Sequence, residues 1–179
     1  HCSVRRQRQM CIRDRTTPPS TQGYLTLSTL KGFEMINNKD DYLHTLIESY
    51  RICASDRDNI TFDYQGNDEN FLGTNDEYIR DKMSLFDKQA AGNYNFPNPH
   101  GGGTAYMNAV DENGLGISLI QSNFYGIGSR IGVGNYGFFL HNRGCGFNLI
   151  KGHPNSLGPN KKPLHTLSPV SYTHLRAHE

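Results

Sequence analysis

The sequence contains no tryptophan, only four cysteines and no long apolar run among its 179 residues. Its hydrophobic share of 35% is low for a domain that must build a large core by itself. No stretch approaches the roughly 18 apolar residues of a membrane span, and no secretory apolar segment is visible. These features exclude a membrane-spanning helix in this stretch and leave the cellular location unknown.

The two ends of the chain differ from its body. The opening carries Arg5, Arg6, Arg8, Arg13 and Arg15 against one acidic residue, whereas the body is mildly acidic. Residues 1–20 and 170–179 show no apolar period typical of a packed helix or strand. Both resemble translated sequencing-adapter read-through, so we leave them out of the fold prediction. The body shows no sign of a nucleic-acid or membrane partner.

Cysteine and histidine spacing predicts no metal site. Cys53 and Cys145 lack paired spacing, so two buried thiols are expected rather than a disulfide framework or a metal site. Cys2 and Cys11 belong to the excluded opening. The excluded end places His174 and His178 four apart, without the glutamate of the zinc protease motif. The sequence predicts no metal and no organic cofactor.

Apolar periodicity predicts helices in the first half of the body. Residues 21–36 have near-helical apolar spacing, with Thr21 as a possible N-cap. Residues 40–55 form a stronger helix that Asn37 and Asn38 could cap. Its predicted apolar stripe, which needs a partner surface, consists of Leu43, Leu46, Ile47, Tyr50 and Ala54.

Polar loop and capping signals follow. Residues 56–73 are rich in Asp, Asn and Gly, but the spacing does not fit a calcium loop, so a solvated surface loop is predicted. Thr74 with Glu77, and Ser84 with Asp87, each resemble a capping box at a helix start.

The periodicity becomes strand-like after the glycines. Residues 104–111 and 116–124 predict a β-hairpin across the sequence DENG, and residues 136–142 predict a third strand. Helices followed by strands predict an α/β layered domain. Gly126, Gly128 and Gly132 do not fit the dinucleotide-binding spacing, and a substrate-covering loop is the preferred interpretation.

Three glycines stand directly before Thr104, at positions 101–103. Without further context, Thr104 is a β-former at the start of a strand. A threonine can also act as a nucleophile when its own free amine serves as the base, which requires cleavage of the chain before it. Gly103 suits such a cleavage site because it tolerates strained dihedral angles and leaves its carbonyl open to attack.

Several separated segments of the chain resemble the same enzyme family. Residues 101–148 and 152–169 resemble the start of the small subunit of the gamma-glutamyltransferase family, the glutathione hydrolases. Residues 41–59 are similar to the helix and Asp-Arg-Asp segment of the large subunit, and residues 83–92 to the helix before the processing site. The resemblance covers essentially all of residues 23–169, and its motifs occur in the right order.

The resemblance implies an N-terminal-nucleophile hydrolase fold, a four-layer αββα sandwich of which this chain is a fragment. It implies a precursor that cleaves itself into two subunits, with residues 21–103 ending the large subunit and residues 104–169 beginning the small one. Thr104 matches the nucleophile, and Ser122 matches a second hydroxyl that orients it by hydrogen bonding. The expected partners are the two subunits and a small-molecule γ-glutamyl or acyl-amide substrate.

Several substrate-binding positions depart from the family pattern. Phe124 stands where glutathione-cleaving members commonly have Asn, and Arg143 stands where Gln is usual. Gly146 replaces the Asp that holds the substrate α-amino group, and His165 and Thr166 replace a Ser-Ser pair that binds the α-carboxylate. A missing charge-assisted contact costs roughly 1.5 to 3 kcal/mol. The pattern is closer to members that act as acylases or amidohydrolases.

Three functions stay open at the sequence level: a γ-glutamyl transferase or hydrolase, an amidase for another acyl group, and an unprocessed homologue that only binds ligands. The resemblance implies that a carboxylate-clamping arginine precedes the matched region and that the oxyanion-hole glycines follow it. Loss of one oxyanion donor typically costs about 10²- to 10³-fold in rate. We therefore expect the 179-residue chain to be catalytically inert and not to fold stably alone.

Overall fold

The computed structural model describes residues 19–38, 40–65, 71–94 and 103–168. These residues belong to two compact units. The helical unit comprises the described residues up to 94 together with 147–168, and the hairpin unit comprises 103–146. Both excluded ends, with Cys2, Cys11, His174 and His178, lie outside the described residues except for Pro19 and Ser20.

The helical unit contains four α-helices and one 3-10 turn among its described residues. These are α1 (Tyr24–Ile36), α2 (Tyr42–Ala54), α3 (Arg57–Ile60), the 3-10 turn Leu72–Thr74 and α4 (Asp76–Met83). The first two helices lie where the apolar periodicity predicts them. The solvated surface loop predicted at 56–73 is wrong in part, because Arg57–Ile60 is helical and Ile60, Thr61 and Phe71 are buried. Residues 61–65 lack a helix or strand.

The predicted caps of α1 and α2 are wrong. Gly23 stands at the N-cap of α1 without a side-chain cap, and Thr21 instead forms a β-bridge with His165. Asn37 ends α1 in the left-handed conformation, with φ of 48°. The α2 cap is Asp41, whose side chain accepts a hydrogen bond of 2.9 Å from the His44 N–H. An Asp at this position satisfies a free helical N–H. Asn37 instead closes the preceding helix, and Asn38 accepts from the Asp40 N–H and donates to the Thr45 hydroxyl.

The start of α4 is predicted to within one residue. Asn75, not Thr74, accepts the capping hydrogen bond from the Tyr78 N–H, because Thr74 is already part of the preceding 3-10 turn. No helix starts at Ser84, which ends α4 and donates its hydroxyl to the Asp81 carbonyl. Lys82 in α4 lies 2.6 Å from a carboxylate oxygen of Asp56, and this ion pair ties α4 to the start of α3.

A small apolar core lies between these helices. The Tyr24 and Phe71 rings pack edge to face at 4.7 Å, and Gly73 lies against both rings. Burial raises the pKa of the Cys53 thiol to about 12, which makes it an unreactive core side chain. Cys145 is exposed, so its predicted burial is wrong. The core consists of Tyr24, Leu25, Ile52, Cys53, Ala54, Ile60, Phe71, Ile79 and Met83.

The face of α2 that packs inward is not the predicted one. Of the predicted stripe, Leu43, Ile47 and Tyr50 are exposed, Ile47 by 56%, while Ala54 is buried. The buried face carries mostly small or polar side chains: Thr45, Glu48, Ser49, Ile52, Cys53 and Ala54. Small side chains allow close approach of the neighbouring helix, so this face packs although its mean hydropathy is lower.

The hairpin unit is built on two antiparallel strands, β1 (Thr104–Val110) and β2 (Gly116–Ser122). Asp111 closes the turn, because its carboxylate accepts hydrogen bonds from the Asn113 and Leu115 N–H groups. Gly114 occupies the left-handed region with φ of 83°, where glycine is favoured. The predicted hairpin and its turn are therefore confirmed.

The predicted third strand at 136–142 is wrong. The 3-10 turn Gly134–Tyr136 occupies its start, and Phe139 forms only an isolated bridge with Gly132. The segment pairs with the glycine-rich loop through the bonds Leu140 N–H to Ile131 O and Ser129 N–H to Leu140 O. Residues with positive φ at Arg130 and Gly137 interrupt any longer ladder.

The described residues contain neither a membrane-spanning helix nor a cluster of metal ligands. None of the helices in the described ranges is long and apolar enough to cross a bilayer. Within the same ranges, no three His, Cys, Asp or Glu side chains cluster in a way that could hold a metal ion.

Candidate active site

Thr104 and Ser122 face each other at the open end of the hairpin. The register pairs Thr104, the first residue of β1, directly with Ser122, the last residue of β2. Directly opposed residues on an antiparallel pair have Cβ atoms about 4.5–5.5 Å apart, on the same face of the sheet. The two hydroxyl side chains can therefore interact across the hairpin.

Gly103 leaves the junction before Thr104 open. A Cβ atom placed on Gly103 would have no neighbour within 4 Å among the described residues. Thr104 itself is exposed. Among the described residues, nothing packs against Gly103 on the side where a Cβ atom would lie, whereas Gly101 and Gly102 of the same triplet lie outside the described residues.

The Ser122 hydroxyl has a fixed acceptor role. Its Oγ accepts a hydrogen bond of 3.1 Å from the Phe124 N–H. A serine hydroxyl has one proton to donate and two lone pairs. Because the Phe124 N–H occupies a lone pair, the Ser122 proton is left for donation to another oxygen.

Phe124 and Arg143 form a stacked pair beside this hydroxyl. Phe124 is buried and has φ of 78°, a left-handed conformation that is uncommon for a bulky residue. The Arg143 guanidinium carbon lies 5.2 Å from the centre of its ring, which is within cation–π range. Desolvation lowers the pKa of Arg143 below its usual range. Arginine is effectively always protonated in proteins, so Arg143 is a cation that lies against an aromatic face.

The guanidinium has no anionic partner among the described residues. Its Nη1 atom is buried and makes no hydrogen bond there, and no ion pair involves the side chain. An arginine in this condition is suited to bind a carboxylate, because its planar N–H groups match the two carboxylate oxygens.

Asn142 is a site residue that the sequence did not reveal. Its side chain accepts from the Tyr125 N–H at 3.0 Å and donates to the carbonyls of Tyr125 and Gly128. Its own N–H donates to the Asn123 carbonyl at 3.2 Å. Asn142 therefore joins the loop that follows β2 to the residue directly before Arg143. A single Asn in a loop carries no sequence signal that distinguishes such a bridge from a solvated turn residue.

The remaining predicted substrate-binding residues belong to different units of the chain. Gly146 ends the 3-10 turn Arg143–Gly146 in the hairpin unit and offers no side chain to a substrate amine. His165 and Thr166 belong to the helical unit, where the His165 main chain pairs with Ser20 and Gln22. Within the hairpin unit, the register, the Ser122–Phe124 hydrogen bond and the Phe124–Arg143 stacking link Thr104, Ser122, Phe124 and Arg143 in sequence.

A family profile described as gamma-glutamyltranspeptidase matches residues 5–177. The chain belongs to the gamma-glutamyltranspeptidase family. The family profile confirms the resemblance that the sequence motifs indicate. The family is one of enzymes.

Curated relatives of this gamma-glutamyltranspeptidase-family chain are named as proenzymes. It is 32% identical over 165 residues to the glutathione hydrolase-like YwrD proenzyme of Bacillus subtilis, covering 86% of this chain and 30% of the relative. It is 40% identical over 78 residues to the oxamate amidohydrolase proenzyme of Klebsiella pneumoniae, covering 41% and 15%. It is 28% identical to the glutathione hydrolase proenzyme of Arthroderma benhamiae, covering 88% and 31%. The chain thus spans at most about a third of these relatives.

A solved structure supports the fold. The cephalosporin acylase from Bacillus halodurans superposes with a TM-score of 0.65 at 27% identity, covering 84% of this chain and 28% of that one. The predicted fold class is confirmed: the family member has a mixed α and β structure and carries part of an N-terminal-nucleophile hydrolase fold. The roles of the individual site residues and the boundaries of the two subunit segments stay predictions.

Proposed function

We propose that this chain carries the processing junction of a self-cleaving threonine hydrolase that transfers or hydrolyses γ-glutamyl amides of the glutathione type. The observation that carries the proposal is the hairpin register, which pairs Thr104 with Ser122. The preceding residue, Gly103, has open space at the position of a Cβ atom among the described residues. The family membership and the proenzyme names of the relatives support it.

Self-cleavage begins at the Gly103 carbonyl. The Thr104 Oγ attacks this carbon, the peptide C–N bond breaks, and the acyl group moves to oxygen as an ester. The hydroxyl proton passes to the Thr104 nitrogen, which becomes a free amine. Water then hydrolyses the ester, which releases the Gly103 carboxylate and restores the hydroxyl. The Ser122 proton, donated across the hairpin, orients the Thr104 oxygen for both the attack and its later chemistry.

Turnover uses the new amine as the base. A free α-amino group titrates near neutral pH, which suits proton transfer under ordinary conditions. The amine takes the Thr104 hydroxyl proton as Oγ attacks the substrate amide, and it returns the proton to the departing amine. The acyl-enzyme ester is then cleaved by water, or by an acceptor amine in transfer.

A second candidate is an acylase or amidohydrolase for another acyl group. The observation that favours it is the Arg143 guanidinium stacked on Phe124, together with the absence of a carboxylate at Gly146. This set suits an acyl group that carries a carboxylate and needs no α-amino group. The names oxamate amidohydrolase and cephalosporin acylase among the relatives agree with such a range of substrates.

The deciding experiment is intact mass analysis of the full-length protein that contains this chain, beside Thr104→Ala and Thr104→Ser variants. We expect the parent to split between Gly103 and Thr104, the alanine variant to stay whole, and the serine variant to split because it keeps a hydroxyl. If the parent and both variants all stay whole, the nucleophile assignment falls and an unprocessed, ligand-binding homologue replaces it.

Substrate choice is measured on the processed protein with γ-glutamyl and glutaryl anilides, which differ only in the α-amino group. Faster turnover of the γ-glutamyl substrate supports the glutathione-type activity, and faster turnover of the glutaryl substrate supports the acylase. In the Arg143→Gln variant we expect kcat/KM to fall by about 10-fold to 100-fold, the equivalent of a lost charge-assisted contact. An unchanged value would exclude Arg143 as the carboxylate-binding residue.

A further inference from the structure

Asn142 and Arg143 contact three consecutive residues that follow β2. The Asn142 main-chain N–H donates to the Asn123 carbonyl at 3.2 Å, and its side-chain oxygen accepts from the Tyr125 N–H at 3.0 Å. Between these two residues lies Phe124, whose ring centre is 5.2 Å from the Arg143 guanidinium carbon. Two adjacent residues therefore contact the backbone on both sides of Phe124 and its ring as well.

The remaining polar groups of Asn142 also have partners. The side-chain nitrogen donates to the carbonyls of Tyr125 at 3.3 Å and of Gly128 at 3.2 Å. The main-chain carbonyl accepts from the Cys145 N–H at 3.0 Å, within the turn that carries Arg143. The side chain thus supplies an acceptor and two donors from one position, a combination that a carboxylate of the same shape does not have.

Phe124 needs contacts of this kind to keep its conformation. It is buried, and its backbone lies in the left-handed region with φ of 78°. A bulky residue rarely adopts this conformation, which persists only where the surroundings impose it. The Ser122 hydroxyl accepts from the Phe124 N–H, and Asn142 accepts from the next N–H along the chain. Loss of the Asn142 contacts therefore releases the backbone that holds the ring against Arg143.

The Arg143 guanidinium has donors to spare within the described residues. Its Nη1 atom is buried and makes no hydrogen bond there, while the Arg143 main-chain N–H donates to the His141 ring at 3.3 Å. The main chain of this residue is thus fixed and its side chain is left for a ligand. A planar guanidinium binds a carboxylate through two parallel N–H groups, so its orientation determines how well it binds.

We propose that Asn142 is a positioning residue for substrate recognition: it fixes the Phe124 backbone, and the Phe124 ring then orients Arg143 toward a substrate carboxylate. This inference rests on the proposed function and deepens it, because it assigns to the site a preference for acyl groups that end in a carboxylate. Both γ-glutamyl and glutaryl groups carry a carboxylate at the end opposite to the amide. The inference therefore holds for either candidate substrate.

The size of the effect follows from what each substitution removes. Loss of the guanidinium itself lowers kcat/KM by about 10-fold to 100-fold. Loss of Asn142 leaves the guanidinium present but less well oriented, so we expect a smaller fall of about 5-fold to 20-fold for a substrate that carries the carboxylate. The fall should lie in KM, because a contact made equally in the ground state and in the transition state changes KM and not kcat.

The test uses the full-length processed protein and two anilides, glutaryl anilide and pentanoyl anilide, which has a methyl group in place of the carboxylate. The readout is the ratio of kcat/KM for the first to kcat/KM for the second. It is measured for the parent, Asn142→Ala and Asn142→Asp, the last of which keeps an acceptor and, when ionised, has no N–H to donate. The matched control is Asn135→Ala, at an exposed asparagine of the 3-10 turn Gly134–Tyr136.

A double-mutant cycle with Arg143→Gln shows whether Asn142 acts through the guanidinium. In the Arg143→Gln background we expect Asn142→Ala to change the ratio by less than about twofold, since residues that act as one unit are not additive. Amide hydrogen exchange over residues 123–129 should accelerate in both Asn142 variants, because the loop loses its hydrogen bonds to the Asn142 side chain.

Support consists of a lower ratio and a higher KM in both Asn142 variants, an unchanged ratio in Asn135→Ala, and no further fall in the double variant. An unchanged ratio, an equal loss for both anilides or an additive loss in the double variant overturns the positioning role and leaves the proposed function intact. If neither Asn142 variant is processed although the parent is, Asn142 supports the hairpin as a whole, and the specific role is overturned. A parent that neither splits nor turns over an anilide removes the proposed function and this inference together, a result distinct from the others.

Discussion

Different interactions stabilise the helical unit and the hairpin unit of this chain. The helical unit has a buried core of apolar side chains, including Ile52, which is fully buried. The hairpin exposes every residue of β1 and most of β2, among them Ile117, which is 64% exposed. Its order comes from the backbone ladder, the Asp111 turn and the Asn142 bridge. Stability in this chain is therefore concentrated in one unit and the candidate chemistry in the other.

This division has a physical cause. A strand buried on both faces reads as a nearly continuous apolar run, and β1 and β2 carry apolar residues on both faces. Such strands suit the inner layers of a sandwich fold, where both faces are covered. The exposed face of α2, with Leu43, Ile47 and Tyr50, has the same character.

The largest expected effect is a difference between matched isoleucines. Ile52→Ala leaves a cavity in the core, which typically costs about 2 to 5 kcal/mol, so we expect the residual helical circular dichroism signal of the marginally stable isolated chain to fall further. Ile117→Ala removes an exposed side chain and leaves that signal unchanged, because exposed substitutions usually stay within about 0.5 kcal/mol. Equal losses in the two variants would mean that the hairpin shares the helical core.

A medium effect is expected at Glu48, and it depends on pH. Burial acts to raise the pKa of its carboxyl, but hydrogen bonds from the Gly92 N–H and from Arg51 outweigh burial and hold the folded pKa below the ordinary value of 4.5. Its contribution to stability is therefore fully present above pH 4.5 and disappears as the pH falls through the folded pKa. Urea unfolding should show Glu48→Gln less stable than the parent by roughly 1.5 to 3 kcal/mol at pH 7. The difference should shrink in acid. A difference that is constant with pH would show that the Glu48 charge does not contribute.

The smallest effect is expected in the hairpin turn. Asp111→Ala removes the acceptor of two main-chain hydrogen bonds, so amide exchange in residues 104–122 should accelerate about twofold to tenfold. The control Asp111→Asn keeps an acceptor oxygen and should change exchange less. Exchange in α1 and α2 should stay the same, and acceleration there would show that the effect of the substitution is not confined to the hairpin.

Part of the candidate site was predictable because it is local in sequence. The hairpin alternation and the DENG turn set the register, and the register pairs Thr104 with Ser122. The stacking of Phe124 on Arg143 was not predictable, because nothing local signals the left-handed conformation of Phe124 or the hydrogen bond that Asn142 accepts from the Tyr125 N–H. The prediction of a third strand at 136–142 was wrong for a related reason. Positive φ angles at Arg130 and Gly137 interrupt the extended backbone that the alternation of apolar residues predicts.

The sequence by itself determined the family and the places of the two longer helices and of the hairpin, because periodicity and motif spacing are local properties of a chain. The junction at Gly103 and Thr104 stays a prediction. Tertiary structure alone decided which face of α2 is buried, since two helices that approach closely select small side chains over the larger apolar ones at Leu43 and Ile47. It also decided that Glu48 and Arg51 hold Gly92. That contact joins residues more than 40 positions apart, and nothing in their local sequence specifies which loop returns to the helix.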